Sequence, residues 1–349
     1  MNITKKVIGN LEKCYSLAPL TYKGKRHMLV AAEKVNQCRL YDLDGNLEEV
    51  IWEEPGGTMS MVQIPETDGQ FLATHKFYSP NDSKEARIIL ASPSENGWEV
   101  CTIAELPFVH RFDIISRNGV NYIIACTLKS GHEYKEDWTS PGKIYVCPLP
   151  EDLTEIDEEH LLEMKPIKEE MLKNHGYCKK AIDGIERAFV ASNEGICCVT
   201  PPEDADGVWE IEQLIDEASS DMALADFDND GQLEMLTISP FHGEKISIYK
   251  KQDGTWNKIY TYEKDAEFAH GIWGGELGGK QGVLIGHRKA DRDLLFFSCT
   301  DNEKLTFEAE LLDHNVGPAN VLAYEHNKDQ YILSANREIN EIALYKVEA

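Results

Sequence analysis

Seven of the chain's 11 histidines fall into two recurring settings. His110, His175 and His270 stand at the head of short apolar runs, in VHRFD, NHGYC and AHGIW. His75, His132, His242 and His287 follow the ends of such runs, in ATHKF, KSGHEY, PFHGE and IGHRK. Neutral imidazoles bind Zn, Mn or Fe, and three of them leave a coordination position open for water or substrate. The same settings carry Arg111, Arg288, Arg337, Lys76, Glu33, Asn336 and Trp273, which supply donors for carboxylate and hydroxyl groups, a candidate base and an aromatic wall. A lone histidine more often serves as a structural hydrogen-bonding residue; the recurrence is what points to a shared pocket. His27, His160, His314 and His326 lie outside both settings and read as structural.

Short β-rich runs must position these residues. HMLVAA, RIILA, NYIIA, AFVA, GVLIG and QYILSA recur between clusters of Gly, Asn, Asp and Pro, and long amphipathic patterns are scarce, which predicts an all-β chain. First strands fall near Tyr15, Met59, His110, His175, Ser220, His270 and Pro318, at spacings of 44, 51, 65, 45, 50 and 48 residues. That period predicts a seven-bladed β-propeller of four-stranded blades occupying residues 1–349 as one domain. The last unit holds only three strands, so Asn2 to Ile8 is expected beside Ile342 to Val347, closing the ring and removing an open edge. The acidic stretch 151–173 is an insertion with room for a short helix up to Met164, stopped by Pro166, and an outer strand beyond. Successive blade strands alternate in direction, so both histidine settings share one face, with first-strand heads ringing the axial mouth.

Composition removes other classes. With 61 Asp plus Glu against 35 Lys plus Arg, the net charge is −26, and no basic block offers a surface to nucleic acid or an anionic membrane. No window approaches the roughly 18 apolar residues of a membrane span, and MNITKKVIG lacks the features of a signal peptide, so the chain is read as cytoplasmic. The nine cysteines show no CxxC spacing, and Cys126, Cys197, Cys198 and Cys299 lie inside apolar runs as reduced core residues. There is no GxSxG, and the glycines of GGELGGKQG read as a turn.

On the opposite face, Asp226 to Glu234 reads DFDNDGQLE. Alternating carboxylates can converge on a hard cation such as calcium, with Asp226, Asp228, Asp230 and Glu234 as ligands and Gly231 at the sharp turn. The alternative is an Asp/Gly-rich turn without metal. The segment ALADFDNDGQLEMLTISP resembles the FG-GAP or VCBS type of propeller repeat, which implies calcium in this loop. Together with HGIWGG at His270 to Gly275 and the rim histidines, it resembles the propeller part of the aldos-2-ulose dehydratases, metal-dependent lyases acting on keto-sugars, and more distantly the oligogalacturonate lyases.

A histidine-bound divalent metal at a polar mouth suits β-elimination, because it stabilises the charge left when a carbon beside a carbonyl or carboxylate loses its proton. The expected substrate is a keto-sugar or uronide. His110, His175 and His270, with His132 and His242, are expected at the metal. His75, His287 and Lys76 are expected to move protons, Arg111 and Arg288 to act on the reacting groups, and Trp273, Arg337, Asn336 and Glu33 to hold the sugar. The alternative is a non-catalytic binding propeller, which would present an apolar patch instead of a histidine pocket.

Overall fold

Apolar runs of this length, cut by turn residues, can form little but short strands. The computed structural model describes residues 1–35, 37–154, 156 and 159–348. It contains seven antiparallel four-stranded sheets in a ring, a seven-bladed β-propeller. The first strands are Cys14–Tyr22, Met61–Gln63, Val109–Arg117, Gly176–Ile182, Asp221–Ala225, Ala269–Leu277 and Asn320–His326. Each begins within two residues of the position expected from the repeat.

The first hairpin of a blade is set by its turn chemistry. In five blades a two-residue turn joins the first two strands with positive φ at both positions: Lys23-Gly24, Asn118-Gly119, Asp183-Gly184, Gly278-Gly279 and Asn327-Lys328. Such turns match the right-handed twist of the strands they join, and they favour Gly and Asn because side chains tolerate positive φ poorly. Blade five replaces the turn with the acidic loop between Ala225 and Glu234.

The apolar core is divided into seven slices, one between each pair of neighbouring blades. Leu29, Leu40, Phe71 and Ile89 form one between blades one and two; Ile124, Ile144, Val190 and Val199 form another between blades three and four. Every blade is therefore held from both sides, and the ring needs all its members. Cys126, Cys197 and Cys198 are buried in these slices, while Cys299 is half-buried.

Asn2–Asn10 pairs antiparallel with Glu341–Glu348 and becomes the outer strand of blade seven, which closes the ring as the sequence predicts. Lys5 fixes the seam, its Nζ lying 2.9 Å from Asp313 and 2.7 Å from Glu341. The insertion differs in part. Residues 159–164 are not helical, and positions 155, 157 and 158 of the expected helix lie outside the described residues. Leu153, Ile156, Leu162 and Met164 pack on the slice between blades two and three, and the Leu162 N–H donates to Ile103 O at 2.7 Å. Apolar anchoring against the blades displaces the local helix preference. Pro166 enters the outer strand Lys165–Met171, where a missing N–H is tolerated. Among the described residues no helix is long and apolar enough to cross a membrane.

Candidate functional site

Each first strand starts at the axis, and in three of them the pairing with the second strand skips a residue there. The extra residues are Tyr15, His110 and His270. A bulged residue leaves the regular pleat, which re-aims its side chain. His175 stands just ahead of Gly176 at the corresponding place in blade four. The rings converge at the axis: His110 and His175 have centroids 4.4 Å apart, and His175 and His270 are 5.1 Å apart. His242 reaches in from the loop after the second strand of blade five, 5.0 Å from His175 and 5.5 Å from His270. Its backbone N–H is held by Ser220 Oγ at 3.1 Å.

Hydrogen bonds across blade boundaries fix the rings. His175 Nδ1 donates to Ser220 O at 3.0 Å, and His270 Nδ1 donates to Ala319 O at 2.7 Å. These bonds set the tautomer and leave each Nε2 with a lone pair. His175 Nε2 is buried without a partner, whereas His270 Nε2 accepts from the Tyr15 hydroxyl at 2.9 Å. The nitrogens of His175, His242 and His270 can all lie within 4.8 Å of one another. Nitrogens sharing one tetrahedral cation stand roughly 3.4 Å apart, so binding would draw the rings inward. His110 lies beside His175 but outside that group; it bonds to the His175 backbone, and its Nδ1 has no partner.

Burial keeps all four rings unprotonated. It is the largest cause at His175, which is pushed down to about 3, with Arg111 acting in the same direction. His110, His242 and His270 are likewise held well below the ordinary imidazole range, first by burial and then by neighbouring histidines and arginines. Neutral imidazoles are the state a metal requires.

The remaining expected residues, Trp273 apart, share the face but not the cluster. His75 packs edge-on against Trp52 at 4.7 Å, and burial pushes it down to about 4. His132 Nδ1 donates to Tyr134 O, and its ring stands 5.6 Å from Phe108. His287 braces a turn, bonding Lys289 O through Nδ1 and accepting the Asp293 N–H at Nε2. Lys76 pairs with exposed Glu85 at 3.3 Å. Asn336 is buried and bonded to Ser334, Glu341 and Tyr345. Arg288 and Arg337 both meet Glu338 at 2.8 Å, Arg337 also bonds Glu33, and Arg288 covers the Phe268 ring at 4.5 Å. Trp273, three residues past the bulge, turns away from the mouth. It packs among Leu277, Leu284 and Val321 and lines a groove between blades six and seven.

Other residues stand where the sequence reading placed none. Phe241 stacks on His242 at 3.9 Å, and Phe268 meets the same ring at 4.3 Å. Trp138 extends this wall, 5.8 Å from Phe241, with the fully buried Lys129 ammonium 4.1 Å over its face. Beneath the histidines the axial channel forms a cavity of about 420 Å³ lined by Arg111, Tyr177, Asp221, Asn320 and residues from the other first strands. Asp221 is buried, and desolvation raises its carboxyl to about 7 despite an Arg111 nitrogen 3.9 Å away. The signal for Asp221 was present: it follows Ser220 as Arg111 follows His110.

The acidic loop contains its own cation. Lys250 Nζ lies 2.7 Å from Asp228, 2.8 Å from Asp230 and 2.6 Å from Glu234. Burial opposes the ammonium, but the three carboxylates raise its pKa on balance. Glu234 is raised too, because its own desolvation outweighs Lys250. Asp226 accepts the N–H groups of Asp230 and Gly231, both at 3.0 Å, and so holds the turn. Asp226, Asp228 and Glu234 can still approach a common point, so a metal there would have to displace or share Lys250.

No known family profile and no curated protein matches the sequence. Solved structures match by fold. One is a Bacteroides uniformis protein assigned provisionally as a 6-phosphogluconolactonase, with TM-score 0.56 and 15% identity over 96% of this chain and 92% of that one. A streptogramin B lyase aligns with TM-score 0.55 and 14% identity over 100% and 99%. The β-propeller domain of Myceliophteria thermophila Cps50 (Swd1) aligns with TM-score 0.63 and 8% identity over 99% and 100%. At these identities the likeness establishes the propeller fold alone.

Proposed function

We propose that the chain is a metal-dependent carbon–oxygen lyase that performs β-elimination on a keto-sugar or uronide at the axial histidines. The reading rests on the convergence of His175, His242 and His270, neutral and oriented, within 4.8 Å of one another. The resemblance of DFDNDGQLE and HGIWGG to FG-GAP propellers of the aldos-2-ulose dehydratase kind supports it. A divalent cation held there would polarise a carbonyl or carboxylate oxygen and so acidify the adjacent C–H.

The chain's own residues would do the rest. Arg111 and Arg288 orient substrate oxygens, and Phe268, Phe241 and Trp138 form the apolar wall against the sugar ring. Asp221, ionised in part near neutrality, accepts the proton. The C–H electron pair becomes the new carbon–carbon double bond, and the β-oxygen leaves with its bonding pair and takes a proton. A carboxyl near 7 suits that task, because a base works best when its pKa lies close to the operating pH.

A binding propeller is the second reading, favoured by the ring nitrogens that His175 and His270 spend on tying neighbouring blades together. Metal analysis of protein purified without an affinity tag separates the two, combined with ultraviolet absorbance on incubation with keto-sugars and uronides, whose elimination products are conjugated. His270→Ala should abolish both metal content and absorbance change, and His326→Ala should affect neither. Protein with no transition metal and no chelator-sensitive activity would leave the binding reading standing.

A further inference from the structure

Between blades four and five, on the face of the acidic loop, lies a cleft of about 570 Å³, floored by Phe189, Leu214 and Leu224. Lys180, Arg187 and Lys251 line it. Lys180 faces Arg187 across one hairpin and Lys251 faces Trp256 across another, so each pair projects to one side of its blade. None of the three cations forms an ion pair with another described residue, although the chain has 61 acidic side chains and a net charge of −26. Two donors are orphaned: Arg187 Nε–H and Trp256 Nε1–H are both shut from solvent without a partner. The observation that points to an anion is the three cations without a carboxylate partner among the described residues, set around an apolar floor. Asp183 and Glu212 also line the cleft, and neither is hydrogen-bonded to these donors.

We infer that this cleft binds a small amphipathic anion: an aromatic body on the apolar floor, and a carboxylate or sulfonate held by the unpaired Arg187 guanidinium, with Lys180 and Lys251 beside it. Arginine suits such an oxyanion because its planar fork presents parallel donors. The wall at Gly231 to Leu233 belongs to the loop that Lys250 pins, so the cleft is preformed on that side. The site lies away from the axial histidines and does not depend on the lyase reading.

The probe is 8-anilinonaphthalene-1-sulfonate, titrated by its fluorescence and by energy transfer from Trp256, with 2-naphthoate and neutral 2-naphthalenemethanol as competitors. Saturable binding at one site is expected, displaced by the naphthoate and not by the alcohol. Arg187→Gln should weaken it about tenfold or more, the scale of one lost charge-assisted hydrogen bond. Trp256→Phe should lower the energy transfer, the other five tryptophans supplying the remainder, and Glu212→Gln, which takes away a repelling neighbour, should tighten binding. Should Arg187→Gln fail to fold by circular dichroism, the Glu212→Gln result and the competitor pair decide. Unchanged affinity in folded Arg187→Gln, weaker or unchanged binding in Glu212→Gln, equal displacement by the alcohol, or absence of saturable binding overturns the inference.

Discussion

Burial raises the Asp221 carboxyl to about 7 because ionisation would strand an anion in the channel wall, so above neutral pH the folded chain must carry that anion largely desolvated. The unfolded chain releases the same proton near the ordinary 3.8. Between those values the folded state holds a proton that the unfolded state has lost, so this contribution is complete below 3.8 and declines as pH rises through 7. The slope is about 1.4 kcal/mol per pH unit while the two states differ by a full proton. Asp221→Asn should therefore raise the melting temperature more at about pH 8 than at about pH 5, while abolishing any elimination activity. Identical pH profiles for variant and parent would show that the carboxyl titrates normally.

At the level of the element, the blade-five loop is held by a cation delivered from another strand. Removing the Lys250 ammonium leaves Asp228, Asp230 and Glu234 without their partner, and Glu234 is fully buried. Lys250→Met should cost roughly 3 kcal/mol, at the low end for a broken buried pair because Asp230 is half exposed. The variant should also gain a calcium response that the parent lacks, visible as a higher melting point in millimolar calcium, since a ligand of the folded state stabilises it. If calcium leaves the variant unmoved, the carboxylates do not make a metal site even when vacated. The carboxylates of this loop were legible in sequence because their spacing is local; Lys250 was not, since it arrives through a strand pairing. The same division runs through the axial site. Turn residues and apolar runs gave away where every first strand begins, and strand alternation put seven histidines on one face. The bulges at His110 and His270 leave no trace in composition, and neither does the reach of His242 from its loop, so the sequence does not reveal that His242 joins His175 and His270 while His110, though packed on His175, lies outside that group. Trp273 illustrates the converse: it belongs to the same strand as His270, but beyond the bulge its side chain faces the neighbouring blade.

For the whole molecule, seven slices of core each shared by two blades make stability a property of the closed ring. Deleting residues 2–10 would bare the strand Glu341–Glu348 and remove the Lys5 contacts, so the melting temperature should fall by many degrees in one cooperative step; an unchanged transition would show that the seam is dispensable. Acid should open the ring as well. His175 titrates near 3 when folded and near 6.5 when unfolded, so the unfolded state takes up protons first and stability is lost as pH falls through that window. Urea midpoints measured downward from neutral pH should decline accordingly, and a flat profile would mean the axial rings protonate without opening the fold. The seam also imposes an order in time. Residues 2–10 leave the ribosome hundreds of residues ahead of Glu341–Glu348, the strand they must pair with. At about 5–20 residues per second that gap lasts on the order of half a minute. Throughout it a strand waits without its neighbour, and the two end blades of the growing arc each keep one flank bare. The nascent chain is thus most open to association with other chains until its final strand appears, and the protein should need holding during synthesis more than after it.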